Sequence, residues 1–390
     1  MKAVICSGGE FTVSEVPAPE PGHGQLVLDV AYAGICGSDL HARGHADEVA
    51  DLMDRVGQPG FMRSAERVVM GHEFVGRVAA YGPGTRKRWP VGTRIVALPI
   101  RKCGDDAQLT GFSTQSPGAY AQQVVVEEAM AIPVPDSLTD EQAALTEPMS
   151  VAWHAVRRAD VSRGRTAIVV GCGPIGLAVI AMLRASGVKR IVASDLSQRR
   201  RELAREMGAT TVVDPREQSP WDAYTAKNEI RRYSELALLG ISTMKQLRIV
   251  DRLPWWKVFR LAERIGAVPG GPVVFECVGI PGMIDSIIAE APLQSRVAVV
   301  GVCMEPDTIL PALAISKEID LRFMFGYDPG EFRDTLHMIA NGKVDVRPLI
   351  TGRVGLEGTA AAFDALGDPE THAKILVSPT SSATTPEPVA

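Results

Sequence analysis

Hydrophobic positions in the first 150 residues fall in short β-prone runs broken by Gly and Pro: QLVLDVAYAG from Gln25, VVMGHEFVGRVAAYG from Val68, TRIVALP from Thr93 and AYAQQVVV from Ala119. Runs of this length and composition predict an irregular antiparallel β domain. From Val151 the pattern changes to a helical period (VAWHAVRRA), then strand (AIVV), helix, strand (RIVASD), helix (SQRRRELAREMG) and strand (TTVVD). That alternation predicts a parallel α/β sheet. VVFECVG from Val273, RVAVVGV from Arg296 and LRFMFGY from Leu321 supply three more strands, which complete a six-stranded doubly wound sheet. After Tyr327 a helix (EFRDTLHMIANG) and a closing AKILV return the chain to the first domain. The expected division is therefore 1–154 with 327–377, and 155–326, followed by a tail, 378–390, whose SPTSSATTPEPVA composition predicts disorder.

One segment exceeds a minimal sheet. A crossover needs about a dozen residues or somewhat more, yet a long stretch of helical periodicity separates Asp214 from Val273. It is expected to be a helical insertion at about 217–271, whose Trp221, Trp255 and Trp256 form a small core of their own, dock a partner subunit or cover a site.

Composition narrows the function classes. The net charge of −5 comes from 41 basic and 46 acidic residues mixed along the chain, with no basic stripe to follow a phosphate backbone, so no nucleic-acid partner is expected. Six scattered cysteines without a CxxC pair, and a start (MKAVICSGGE) without a basic-then-apolar leader, predict a reduced cytoplasmic protein. The apolar run Ala167–Leu183 is slightly short for a bilayer span and contains Gly171, Gly173, Pro174 and Gly176, so no membrane association is expected.

Those same glycines carry chemistry. Gly171-Cys172-Gly173-Pro174-Ile175-Gly176 directly follows the strand AIVV and opens the helix LAVIAMLRASG, the context in which a GxGxxG motif holds a dinucleotide pyrophosphate. Asp195 ends the next strand, where a carboxylate takes the ribose hydroxyls and repels a 2′-phosphate, favouring NAD over NADP. Arg199, Arg200 and Arg201 leave an opening for NADP, because guanidinium groups there can hold that phosphate.

A second constellation lies upstream. GICGSDLH, residues 34–41, offers Cys36 as a soft metal ligand with Ser38 and His41 as a proton exit path; His72-Glu73 and Glu147-Pro148 follow. A Cys/His/Glu set describes a catalytic zinc site with an open position. Zn²⁺ in such a site lowers the pKa of a bound hydroxyl from about 16 towards about 7.

GICGSDLH, GHEFVGRV, LTEPMSVAWHA and GCGPIG together resemble the zinc-dependent medium-chain alcohol dehydrogenases, nearest to the sorbitol and threonine dehydrogenase branch. The likeness runs from Lys2 to Val377, excepting the insertion and the tail. It implies a GroES-like, mostly β catalytic domain beside a Rossmann doubly wound parallel sheet. By position Cys36 and His72 match the family's zinc ligands, Glu147 the third, and Asp39 the carboxylate that holds the ligand histidine. Ser38 and His41 match the proton relay, and Val300-Gly301-Val302 the backbone that grips the nicotinamide carboxamide. Whether Glu73 or Glu147 binds the metal directly, or the two exchange during turnover, stays open. Members with a structural zinc carry four closely spaced cysteines, whereas this chain offers only Cys103 in the corresponding stretch, so a single, catalytic zinc is expected. The loop between Cys36 and His72 is also longer than in the family, and its Leu52, Met53, Val56, Phe61 and Met62 suggest an apolar substrate pocket.

The implied activity is hydride transfer between a small-molecule alcohol, secondary in type, and NAD, in a homodimer or homotetramer. Two alternatives stand beside it: a zinc-free, NADPH-dependent quinone or enoyl reductase of the same fold, and a non-catalytic NAD-binding protein.

Overall fold

The computed structural model describes residues 1–162, 164–223, 230–249, 254–264 and 270–389. They separate into two compact units, Met1–His154 with Gly326–Ala390, and Ala155–Phe325.

In the first unit the central strand is Gln25–Gly34. Seven of its ten residues are apolar and its last is Gly34, a composition that a two-sided core can take, and it is buried along most of its length. It pairs antiparallel with Glu73–Tyr81, Gln123–Glu127 and Lys374–Val377. Leu26, Leu28, Val30, Phe74, Val78 and Ile95 fill the core on this sheet. The register sets Gly34 opposite both Glu73 and Leu376, so three distant segments meet where the central strand ends. Only glycine fits there, because a Cβ on residue 34 would lie on the Glu73 carboxylate.

The stretch VVMGHEFVGRVAAYG is two strands rather than one, Val68–Val69 and Glu73–Tyr81. Gly71 breaks it at φ +100, and a Cβ there would meet the Tyr120 ring at 2.7 Å. The long connection from Cys36 to His72 contains two helices, Gly37–Gly44 and Ala46–Arg55.

The tail corrects the expectation of disorder. Glu387–Pro388 pairs antiparallel with Gly352–Arg353, and the Gly355 N–H donates to the Ala383 carbonyl at 2.8 Å. The strand Ile350–Val354 has an open edge whose backbone groups need partners, and the tail supplies them. Composition reports poor hydrophobicity but not a template waiting alongside.

The second unit holds a parallel sheet whose strands run, across the sheet, Thr211–Val213, Ile191–Ser194, Ala167–Val170, Val273–Glu276, Arg296–Val299 and Asp320–Phe323. Its central strands are buried except at Val170, which is half-buried, and this is why they read as continuous apolar runs. The order reverses between Ala167–Val170 and Val273–Glu276, the switch point at which doubly wound sheets bind ligands. Pro174–Ala185 follows the first of these strands and buries Gly176 to Leu183 continuously.

The expected insertion falls partly outside the described residues; among those described it contains the helices Pro220–Ala223, Tyr233–Leu247 and Trp255–Arg264. Its tryptophans do not share a core of their own. Trp221 packs with Ile168, Val192 and Val274 in the core of the sheet, while Trp255 and Trp256 touch edge to face at 5.9 Å and Trp256 is 50% exposed. Among the described residues no helix is long and apolar enough to cross a membrane.

Candidate active site

Cys36 stands one residue past the buried Ile35, as the N-cap of the helix Gly37–Gly44. Three residues on, Asp39 folds back: its Oδ2 accepts from the Cys36 N–H at 2.9 Å and from the Tyr120 hydroxyl at 2.8 Å. Its Oδ1 lies 3.2 Å from His72 Nδ1, and the carboxylate is fully buried. A carboxylate so placed holds a proton on Nδ1 and leaves the Nε2 lone pair for a metal. Nε2 is on the side of Ser38, whose Oγ lies 3.4 Å away.

The ligand atoms of Cys36, His72 and Glu73 all lie within 4.8 Å of one another. One ion at the usual distances of about 2.0–2.3 Å matches a cluster of this size and this N, S and O chemistry. The electrostatics agree. Burial opposes a charge on His72, yet Asp39 and Cys36 outweigh it and hold the imidazole well above its ordinary 6.5.

Two further groups complete the surroundings. Lys374, 2% exposed, places Nζ 2.7 and 2.8 Å from the two Glu73 oxygens and 2.9 Å from the Ile35 carbonyl. Burial disfavours its charge, but Glu73, Cys36 and Glu147 more than compensate and raise its pKa. Glu147 lies in the first turn of the helix Thr146–Ala159, and its Oε1 accepts from the Tyr327 hydroxyl at 2.9 Å. Burial pushes its pKa up to about 7, opposed by His72 and reinforced by the nearby Glu73 charge. An apolar wall stands beside the cluster: the Phe112 ring lies 4.8 Å from the His72 ring and stacks on Phe61 at 5.0 Å. Phe61 thus faces this wall, whereas Met62 is core and Leu52 and Val56 are exposed.

In the second unit, Gly171 turns at φ +89 and Gly173 caps the helix that Pro174 opens. A Cβ on Gly176 would collide with the Gly171 carbonyl oxygen, so the turn requires glycine at that position. Asp195 braces this loop, since Oδ2 accepts from the Cys172 N–H at 2.6 Å and Oδ1 from the Ser197 N–H at 2.8 Å. The three arginines differ. Arg201 pairs with Asp214 at 3.0 Å and donates to the Asp195 and Leu196 carbonyls, and Arg199 faces Glu202 at 3.6 Å. Arg200 approaches the Gly173 turn and keeps a buried Nε with no hydrogen-bond partner. An orphaned guanidinium nitrogen beside a glycine cradle and a helix N-terminus fits an anionic dinucleotide. At the neighbouring strand ends, Val300 and Gly301 donate their N–H groups to the Glu276 carbonyl, each at 2.9 Å, while the exposed Val302 backbone crowds Gly279.

Residues 22–136 match the alcohol dehydrogenase GroES-like domain and residues 174–235 the zinc-binding dehydrogenase domain. Sorbitol dehydrogenase of Bacillus subtilis (strain 168) is 29% identical over 375 residues, covering 93% of this chain and 92% of the relative. (R,R)-butanediol dehydrogenase of the same strain is also 29% identical, over 95% of this chain and 97% of its own. The crystal structure of 2R,3R-butanediol dehydrogenase from Bacillus subtilis superposes with a TM-score of 0.73 at 27% identity, over 97% of this chain and 99% of that one.

These matches support the zinc-dependent medium-chain alcohol dehydrogenase family for this chain.

As a medium-chain alcohol dehydrogenase it is an oxidoreductase of small molecules that uses zinc and a nicotinamide cofactor. The structure brings Cys36, His72, Glu73, Asp39 and Ser38 together, and sets Glu147 beside them without making it part of the tight cluster. His41 lies one turn along the helix from Ser38, half-buried. Sequence reasoning missed Lys374, Tyr120, Tyr327 and Phe112. For Lys374 a signal existed, because a lysine inside the otherwise apolar AKILV needs a buried partner. The tyrosines and Phe112 gave none.

In the stretch where a cysteine-rich lobe would stand, this dehydrogenase has a hairpin, Ile100–Cys103 paired with Asp106–Leu109. Gln25 and Glu127 fasten it through the Lys102 backbone at 3.1 and 2.9 Å.

Proposed function

We propose that this dehydrogenase oxidises secondary alcohols with an apolar flank, using NAD and one zinc per chain held by Cys36, His72 and a glutamate. The convergence of Cys36, His72 and Glu73 within 4.8 Å carries the reading. A zinc ion held there would supply Lewis acidity to lower the pKa of the substrate hydroxyl, and a bound nicotinamide would supply the hydride acceptor.

The chain's own residues do the rest. Asp39 orients the His72 ring, and Tyr120 in turn fixes Asp39. For the third ligand Glu147 is favoured, because Lys374 engages both oxygens of Glu73 while Tyr327 engages one oxygen of Glu147. Glu73 remains near enough to exchange with it. Phe112 and Phe61 give the substrate an apolar neighbour and offer a polyol no hydrogen bond. A panel of alcohols tests this: kcat/KM is expected to be higher for secondary alcohols with alkyl or ring substituents than for sorbitol-like polyols, and the reverse order would refute it.

The substrate proton leaves through Ser38 to His41, which lie at i and i+3 on one helix face. Burial, aided by the neighbouring His45, lowers the His41 pKa from 6.5, so the imidazole is neutral and able to accept at pH 7. Because that pKa lies below the ordinary imidazole value, alcohol oxidation should hold from neutral pH through the ordinary imidazole range and fall only at lower pH, where His41 becomes protonated. His41→Gln is expected to slow oxidation about tenfold or more near neutral pH with zinc content unchanged. Unchanged kinetics would send the proton elsewhere.

The NAD preference rests on the Asp195 charge beside the glycine turn. Asp195→Asn retains a carbonyl acceptor for the loop but removes the repulsion of a 2′-phosphate. The ratio of kcat/KM for NAD over NADP should shrink about tenfold, a change of about 1.4 kcal/mol. A wild-type enzyme preferring NADP would overturn the assignment and give Arg200 the phosphate.

The free state of all six cysteines supports a reducing compartment. A homodimer or homotetramer is supported by the edge strand Asp320–Phe323, which ends in an exposed Phe323.

The zinc-free reductase and the non-catalytic NAD binder find less support, because each leaves the Cys36–His72–Asp39 arrangement without a purpose.

A further inference from the structure

The insertion carries two helices that contribute little to the core of the coenzyme domain. Tyr233–Leu247 buries none of its residues. In Trp255–Arg264 the helical period sets Trp255, Val258 and Phe259 on one face, Leu261 and Trp256 on its flanks, and Lys257, Arg260 and Arg264 opposite. Such a helix ordinarily hides its apolar face. Here Val258 is 36%, Phe259 37%, Trp256 50% and Leu261 56% exposed, and Leu238 and Ile241 of the preceding helix add 65% and 54%. Apolar surface of this kind marks an interaction site.

Charge says what it meets. By sequence these helices carry Lys245, Lys257, Arg260 and Arg264, with Arg248 at the C-cap of the first, against Glu235 and Glu263, a basic excess in a chain whose net charge is −5. A two-fold contact with a second copy would set this basic patch against itself, which is unfavourable. A phosphate backbone alone would leave the Trp, Phe and Leu side chains without a role. A basic face opposed to an apolar one, with tryptophans among the apolar residues, is the pattern of a helix lying in a lipid headgroup layer.

We propose that the Trp255–Arg264 helix, with its predecessor, docks this enzyme reversibly on an anionic bilayer surface. Phe259, Leu261 and Trp256 enter the acyl boundary while Lys257, Arg260 and Arg264 face the headgroups. The helix lies in the interface and does not span it.

Flotation of the full-length protein with vesicles tests this, comparing phosphatidylcholine alone with phosphatidylcholine and phosphatidylglycerol mixed. The enzyme is expected to float with the anionic vesicles, not with the neutral ones, and to be released by high salt. Phe259→Ser/Leu261→Ser and Lys257→Glu/Arg260→Glu should each weaken binding about tenfold or more. Alcohol oxidation in solution should stay unchanged, since none of these residues belongs to the catalytic machinery. Absence of flotation, or equal flotation with neutral vesicles, would overturn the proposal. So would a fall in solution mass of Phe259→Ser/Leu261→Ser without any vesicle binding, which would make the face a subunit contact.

Discussion

Cys36→Ala and His72→Ala are each expected to yield a folded protein that neither retains zinc nor oxidises alcohol. The fold should survive, because Cys36 caps a helix at a partly exposed position and His72 precedes the strand that builds the sheet rather than lying in it. The metal should not, because the cluster offers a single thiolate and a single imidazole. Loss of zinc removes several kcal/mol of charge stabilisation from the chemical step, and each 1.4 kcal/mol is tenfold, so activity should fall at least about a thousandfold. Metal content and turnover, measured on the same sample, check both halves. Retention of full zinc by either variant would remove that residue from the ligand set. The same assay separates the glutamates: Glu147→Gln should cost more zinc affinity than Glu73→Gln, whose carboxylate Lys374 already engages.

Lys374→Met is the second large effect, and it reads on stability before activity. Its ammonium group lies between both oxygens of a fully buried Glu73 and the Ile35 carbonyl. Removing the cation leaves a carboxylate in the interior with no ionic partner, which costs about 3–5 kcal/mol. The strands that meet at Gly34 hold this pair, so the loss also loosens the frame of Cys36. Glu73→Gln/Lys374→Met should recover part of the stability, because it removes the orphaned charge as well. Denaturant midpoints of the two variants measure this. A loss below about 1 kcal/mol for Lys374→Met would show that the pair is solvated rather than buried.

What the sequence revealed, and what it hid, follows from the range of the interactions. The coenzyme sheet was legible because its strands are covered on both faces and read as unbroken apolar runs such as AIVV, and because the glycine turn is local to one strand and one helix. The residue types of the metal cluster were legible for the same reason, since Cys36, Asp39 and His72 sit in short characteristic segments. The partner of Glu73 was not. Lys374 lies 301 positions away, and only the antiparallel register around Gly34 brings the two together. Period alone could not divide Val68–Tyr81 into two strands, because the break depends on how closely Tyr120 approaches Gly71. The tail and Trp221 misled in opposite senses. A polar segment was ordered by a free strand edge, and a tryptophan assigned to the insertion was taken into the neighbouring core.

The most direct test of the account is the zinc content of wild-type enzyme purified without chelator, taken together with its NAD-linked oxidation of a secondary alcohol. About one zinc per chain is predicted, with activity lost on chelation and restored by Zn²⁺. Full turnover by a protein that contains no metal and takes none up would contradict it.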